Sequence, residues 1–257
     1  MHDLSFEGVR TGVLFGVFRD IGDFFDLHQP KSAIFCFDRG RPIRKDVDAR
    51  YKANREVERD EDVLKARAEV AKQAKALANE YLPAMGFRNI CHQQGYEADD
   101  MIAKWVIDRL PKGDRAVIAS DDADLHQLLT DRVSCWAVRK KHMITAQMFR
   151  DKWGISPTQW ADVKALAGCK SDNVVGVHGV GEKKAIQYLT GVMNPQSATY
   201  EKIIKGSSEW KKNLRLVQLP FEGTKVRPIR EDEVTRKRWQ AVCKSLGMES
   251  LKRSCPV

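Results

Sequence analysis

Two apolar runs that each close on acid constrain this chain more than any other feature. Ser32-Ala33-Ile34-Phe35-Cys36-Phe37-Asp38 is nearly all apolar before its carboxylate, the pattern of a strand buried on both faces. Ala116-Val117-Ile118-Ala119-Ser120-Asp121-Asp122-Ala123-Asp124-Leu125 repeats the theme. In open α/β sheets the functional crevice lies beyond the carboxyl ends of the strands, and Asp38 is expected there. Between and around these runs the pattern alternates. Residues 9–27 read as a helix with Val13, Val17, Ile21 and Phe24 on one face, and residues 56–82 as a long helix rich in Ala, Lys and Glu. Phe87 to His92 and Val133 to Val138 read as further strands, which predicts a parallel sheet. After about residue 145 the strand pattern stops and helices take over.

A third acidic cluster has its own setting. Gly95-Tyr96-Glu97-Ala98-Asp99-Asp100 packs its carboxylates ahead of Met101, Ile102, Trp105, Val106 and Leu110 at helical spacing, so the acids sit on a first turn. Exposed N–H groups and the macrodipole favour acids there, and most such clusters do nothing else. Capping accounts for one of Asp121, Asp122 and Asp124, but three together repel one another and need a compensating charge. A divalent cation is the simplest compensator.

With 257 residues, 42% hydrophobic and 31% charged, the chain is long enough for a sizeable core. No apolar run approaches a membrane span and the first twenty residues carry no signal-peptide pattern, so no membrane association and a cytoplasmic location are expected. The cysteines at 36, 91, 135, 169, 243 and 255 form no C-x-x-C pair, which argues against a zinc site and for reduced thiols. The excess of 44 basic over 35 acidic residues, +9, suggests a polyanionic partner. The polar stretch Arg39 to Arg55 reads equally as a solvated loop or as a grip on a single strand, with Tyr51 set among cations. Gly176-Val177-His178-Gly179-Val180-Gly181 opens a helix that starts near Lys183 and Lys184, where glycines admit close backbone approach and helix N–H groups can meet a phosphate. Interhelical turns use glycine in the same way.

Taken in order, these motifs resemble the 5′-nuclease family: Phe37-Asp38, Tyr51-Lys52-x-Asn54-Arg55, Gly95-x-Glu97-Ala98-Asp99-Asp100, Ser120-x-Asp122-x-Asp124-Leu125-x-Gln127-Leu128-Leu129, and Gly168-x-x-Ser171-Asp172-Asn173 with the glycine hairpin. The similarity spans roughly residues 8–190. It implies an α/β fold with a central, mostly parallel sheet and flanking helices (a PIN-like core) over 1–145, including a helical arch at about 39–82. A helical DNA-binding region over 146–257 would follow, with a helix-three-turn-helix element at about 160–190. It implies two Mg²⁺ or Mn²⁺ ions held by Asp38, Glu97, Asp99, Asp100, Asp122, Asp124 and Asp172, one generating a hydroxide and the other stabilising the leaving 3′ oxygen. Lys52 and Arg55 would act at the scissile phosphate, and Arg41, Arg44 and Tyr51 would join them in gripping a 5′ strand. Gly176, Gly179, Gly181, Lys183 and Lys184 would hold duplex, often with a K⁺ ion.

Two departures stand against that pattern. Family members begin with a strand ending in Asp-Gly, whereas Asp3 follows no apolar run. Cys169 occupies the place of an aspartate, and sulfur is a poor Mg²⁺ ligand. The expected function is a metal-dependent 5′→3′ exonuclease or flap endonuclease acting as a monomer on DNA, or on RNA-DNA hybrid, in replication or repair, as in phage, beside a replication polymerase. The alternative is a structure-selective DNA-binding protein of the same fold with weak or no nuclease activity.

Overall fold

The buried stripe of the first helix, Gly12–His28, is Leu14, Phe18 and Ile21, with Val17 and Phe25 packed at its margin. The expected face of Val13, Val17, Ile21 and Phe24 is rotated by about one residue, and Phe24 instead stacks against His28 with ring centroids 4.5 Å apart. The reason is the partner surface: Phe18 packs against both Tyr81 and Trp239.

This computed structural model describes residues 4–55 and 60–256. Residues 56–59, which the long 56–82 helix was expected to include, and Asp3 lie outside the described residues. The chain divides into two compact units, each discontinuous in sequence. The expected boundary at 145/146 falls inside the second, between the His142–Ile144 strand and the Ala146–Trp153 helix. Among the described residues no helix is long and apolar enough to cross a membrane.

The first unit comprises the described parts of 1–37, 58–91 and 227–257. Its Glu61–Ala76 helix is started by Asp60, whose carboxylate accepts the Asp62 and Val63 N–H groups. This helix is tied to the first one by Gln73, whose side-chain oxygen accepts the Val13 and Leu14 N–H groups at 3.1 and 3.3 Å. The core of this unit joins Leu14, Phe18 and Ile21 to Leu82, Met85, Phe87, Trp239 and Leu246. Trp239 is fully buried and donates its indole N–H to the Leu251 carbonyl at 2.8 Å. Phe35–Cys36 pairs in parallel with Ile90–Cys91, and both strands are half-buried. The expectation of a strand over 32–38 buried on both faces therefore holds only for its centre and without full burial.

The second unit comprises the described parts of 38–57 and 92–226. Ala116–Ala119 pairs in parallel with Val133–Ala137, which pairs antiparallel with His142–Ile144. The single central sheet read from the sequence is thus seen among the described residues as separate sheets, and the three-stranded one is mixed. A short connection explains the mixing, since four residues between Ala137 and His142 suffice for a hairpin but not for a helical crossover. Leu125, Leu128, Val133, Phe149, Trp160, Val163 and Leu166 form its main core.

The glycine hairpin is held by its backbone. After the Trp160–Ala167 helix, Gly168–Cys169 pairs with Val174–Val175, and Gly168 takes φ +81°. A Cβ on Gly176 would lie 2.3 Å from the Ala167 carbonyl carbon and 2.4 Å from the Gly168 nitrogen. The absence of a side chain at Gly176 is therefore required by chain-to-chain packing. Gly181 has nothing within 4 Å of a Cβ. Gly176→Ala should cost about 2 kcal/mol or more by thermal unfolding, in the range of overpacking, and clearly more than Gly181→Ala. Equal losses would refute the packing argument.

Candidate metal centre and nucleic-acid interface

Every acid singled out from the sequence lies in the second unit, and most are fixed by backbone geometry. The Ala98–Asp108 helix begins with Glu97 as its cap, in a capping box with Asp100. Asp38, just past the Phe35–Cys36 strand, accepts the Ala98 N–H at 2.7 Å, so it too is drawn to this helix start. Asp122 caps the Ala123–Leu128 3₁₀ helix by accepting the Asp124 N–H at 2.8 Å, and its own backbone N–H donates to the Ser120 hydroxyl oxygen at 3.1 Å. Asp172 is carried by the turn between Gly168–Cys169 and Val174–Val175.

The electrostatics separate these acids into two kinds. Burial pushes the Asp99 carboxyl up to about 7, helped by Asp122 and Asp38 and opposed by Lys52. Asp124 is raised by burial and by Asp122 and Asp172, against the pull of Lys164. Asp172 is raised by burial and by Glu97 and Asp122, against Lys52 and Arg55. Asp38, Glu97, Asp99, Asp122, Asp124 and Asp172 therefore feel one another's charge, and a nearby cation would relieve that repulsion. Oxygen-rich donors suit Mg²⁺ or Mn²⁺. Ligand atoms of Asp124, Cys169 and Asp172 lie within 4.8 Å of one another.

Asp100 is of the other kind. It is fully buried and forms a bidentate pair with Arg44, Nη1 to Oδ2 at 2.6 Å and Nη2 to Oδ1 at 2.7 Å. Its oxygens also accept the Glu97 and Phe221 N–H groups. Four donors leave no lone pair facing solvent, so the expectation that Asp100 holds a metal is corrected to an architectural role. Arg44, only 2% exposed, further donates to Glu97 at 3.1 Å and to the Leu216 carbonyl at 2.8 Å. It cannot meet DNA from there, which corrects its place among the DNA contacts. Tyr51 is likewise buried, and its hydroxyl donates to Glu97 Oε2 at 2.7 Å. Stacking on a base is replaced by orienting Glu97.

Two cations of the 39–55 stretch, Lys52 and Arg55, face the acids. Lys52, at φ +54°, pairs with Glu97 and lies 3.7 Å from Asp172, while Arg55 donates to Asp172 at 2.9 Å. The Lys52 N–H to Asp172 carbonyl bond and the Asn54 and Asn173 side-chain bonds stitch 50–55 to 170–173. Arg41 is exposed and pairs with Asp46. Lys183 and Lys184 are exposed on the Glu182–Leu189 helix, beside Gly179 at φ +77° and Gly181 at the cap. One further cation lies beside the acids. Lys164 reaches Asp124 at 3.5 Å and Glu182 at 3.4 Å and lies over the Trp160 ring. Its signal was a lone cation in the otherwise small and apolar Val163-Lys164-Ala165-Leu166-Ala167.

The Asp99 shift makes the ion-free protein sensitive to pH. Unfolded, that carboxyl titrates near about 3.9, so between about 4 and about 7 the folded chain binds the extra proton and stability falls as pH rises. In chelator, Asp99→Asn should therefore be more stable than wild type near about pH 8 and lose that advantage by about pH 5. A pH-independent difference in unfolding free energy would contradict the shift.

Comparison with known proteins gives a consistent picture. Residues 3–154 match the family described as the 5′-3′ exonuclease, N-terminal resolvase-like domain. The chain is similar to the thermostable DNA polymerase I of Thermus thermophilus, 40% identical over 114 residues, covering 44% of this chain but only 13% of that protein. It is 34% identical over 188 residues to the 5′-3′ exonuclease of Bacillus subtilis, covering 71% of this chain and 60% of that one. A solved structure of T5 5′-exonuclease with divalent metal ions (zinc) bound superposes with a TM-score of 0.70 over 93% of this chain and 89% of that one, at 20% identity, a likeness of fold.

Proposed function

Because this chain belongs to the 5′-3′ exonuclease family, we propose that it hydrolyses phosphodiester bonds near the 5′ end of DNA, as a divalent-metal-dependent exonuclease or flap endonuclease. The observation that carries this reading is the group of six mutually repelling carboxylates in one unit, with Asp99 raised to about 7. Asp38, Asp99, Asp122, Asp124 and Asp172 would hold Mg²⁺ or Mn²⁺, and ions there supply Lewis-acid stabilisation of charge on the reacting phosphate. Glu97, fixed by Tyr51, Lys52 and Arg44, orients that shell from behind. Lys52 and Arg55 hold the scissile phosphate, exchanging their carboxylate partners for it when substrate arrives. Their present ion pairs with Glu97 and Asp172 support this, since a cation already placed among the acids has only a short way to move.

The exposed Lys183 and Lys184 hold the duplex backbone on this reading. Replacing both with alanine should weaken duplex binding and flatten the dependence of log K on log salt by about two. An unchanged slope would count against the hairpin as a duplex contact.

The test is cleavage of a 5′-labelled flap and of a nicked duplex, in Mg²⁺, in Mn²⁺ and in chelator. Short 5′ fragments released only with metal are expected, and a parallel RNA-DNA hybrid arm defines the substrate. Cys169 among the acids favours a second reading, a structure-selective DNA-binding protein. Tight binding of the flap with no cleavage in either metal would replace the first reading by the second.

A further inference from the structure

One end of the acidic group differs chemically from the other. Asp38, Asp99 and Asp122 offer only oxygen, whereas Asp124 and Asp172 share their space with a sulfur. Cys169 Sγ lies 3.9 Å from Asp124 Oδ2, and the donor atoms of all three residues fall within 4.8 Å of one another. The thiol is held there by packing: Cys169 is 7% exposed, within a cluster that includes Ala165, Val174 and Leu216. Its strand is pinned by the close approach of Gly168 and Gly176, so it cannot swing away without breaking the hairpin. The Asp124 and Asp172 side chains are 17% and 15% exposed, and Asp172 is shared with Lys52, Arg55 and the Tyr51 hydroxyl.

We infer that Asp124, Cys169 and Asp172 form a site for a thiophilic divalent cation, Zn²⁺ or an ion of its class such as Co²⁺ or Cd²⁺, in preference to Mg²⁺. The inference rests on reading the acidic group as a metal centre and gives its two ends different ion preferences. Mg²⁺ demands oxygen donors in near-octahedral array and gains little from sulfur. Thiolate selects softer ions, and one sulfur with two carboxylate oxygens and an open position is a donor set that Zn²⁺ accepts. When the sulfur–metal bond forms, the thiol proton leaves to solvent. The Ser171 hydroxyl, 3.0 Å from Sγ, is then placed to donate to the bound thiolate. The ligand set carries three negative charges against two positive, and Lys164, 3.5 Å from Asp124, offsets the remainder.

Titration of the full chain with Co²⁺ reads this directly, because a thiolate bound to Co²⁺ gives a sulfur-to-metal charge-transfer absorption that carboxylates do not. One equivalent should produce the band, Zn²⁺ should abolish it, and a large excess of Mg²⁺ should leave it. Cys169→Ser should lose the band and bind Co²⁺ at least about tenfold more weakly. Cys169→Asp should lose the band and gain Mg²⁺ affinity. The remaining cysteines are common to all three proteins, so the difference reports Cys169, and matching circular dichroism shows that the variants fold. Identical titrations of wild type and Cys169→Ser would overturn the inference, as would displacement of Co²⁺ by equimolar Mg²⁺. Cleavage of DNA in Mg²⁺ with no Cys169-dependent band would sink the inference and leave the nuclease reading standing. A Cys169-dependent band with no cleavage in any metal would do the reverse.

Discussion

Asp122→Asn should lose DNA cleavage by roughly a thousandfold while remaining folded, because removing an anionic ligand forfeits several kcal/mol of transition-state stabilisation. Asparagine is the informative choice. Asp122 accepts the Asp124 N–H through Oδ1 and starts the Ala123–Leu128 3₁₀ helix, and the amide oxygen can keep that cap. What the variant removes is charge, at a point felt by Asp99, Asp124 and Asp172 together. Unfolding midpoints in chelator should be equal to or above wild type, since one repulsive charge has gone. Cleavage within tenfold of wild type would mean that Asp122 holds no essential ion and that the reaction is organised elsewhere.

The second large effect is on stability. Arg44→Met should cost about 3–5 kcal/mol by chemical denaturation, because it strands the fully buried Asp100 carboxylate without its bidentate partner. Arg44 also serves the Leu216 carbonyl and Glu97, so several acceptors lose a donor at once. Adding Asp100→Asn removes the stranded charge, and the double variant should recover a substantial part of the loss. If the two losses simply add, the pair does not act as a unit and the architectural role assigned to Asp100 is wrong.

Much of the gathering of the acids was legible in the sequence because carboxylates at strand ends and helix starts have few places to go. Asp38, Asp99, Asp122 and Asp124 were readable from the apolar runs and the helical spacing around them. Arg44 and Tyr51 were not. In sequence they belong to a polar, basic stretch that looks solvated, and only packing against Asp100, Glu97 and Leu216 shows that they are interior. Nothing local distinguishes a cation that will be buried from one that will meet solvent. The two discontinuous units were equally hidden, since periodicity reports elements one at a time and says nothing of which distant segments condense together. The one-residue rotation of the first helix has the same origin. Val13 and Leu14 are equally apolar, and the choice between them is made by Phe18 meeting Tyr81 and Trp239.

Arg44 also bears on when this protein becomes competent during its own synthesis. Its guanidinium joins the start of the Ala98–Asp108 helix to the Leu216 carbonyl, a contact between residues 172 apart, and Asp100 accepts the Phe221 N–H across 121 residues. Contacts of such separation close late, after the entropy of a long loop has been overcome. A ribosome that has released every acidic residue of the group, through Asp172, has therefore not yet released the segment that locks Asp100 and its helix in place. On that account the helix start that carries Glu97, Asp99 and Asp100 is locked only once residues near 221 emerge, among the last parts of its unit to be made.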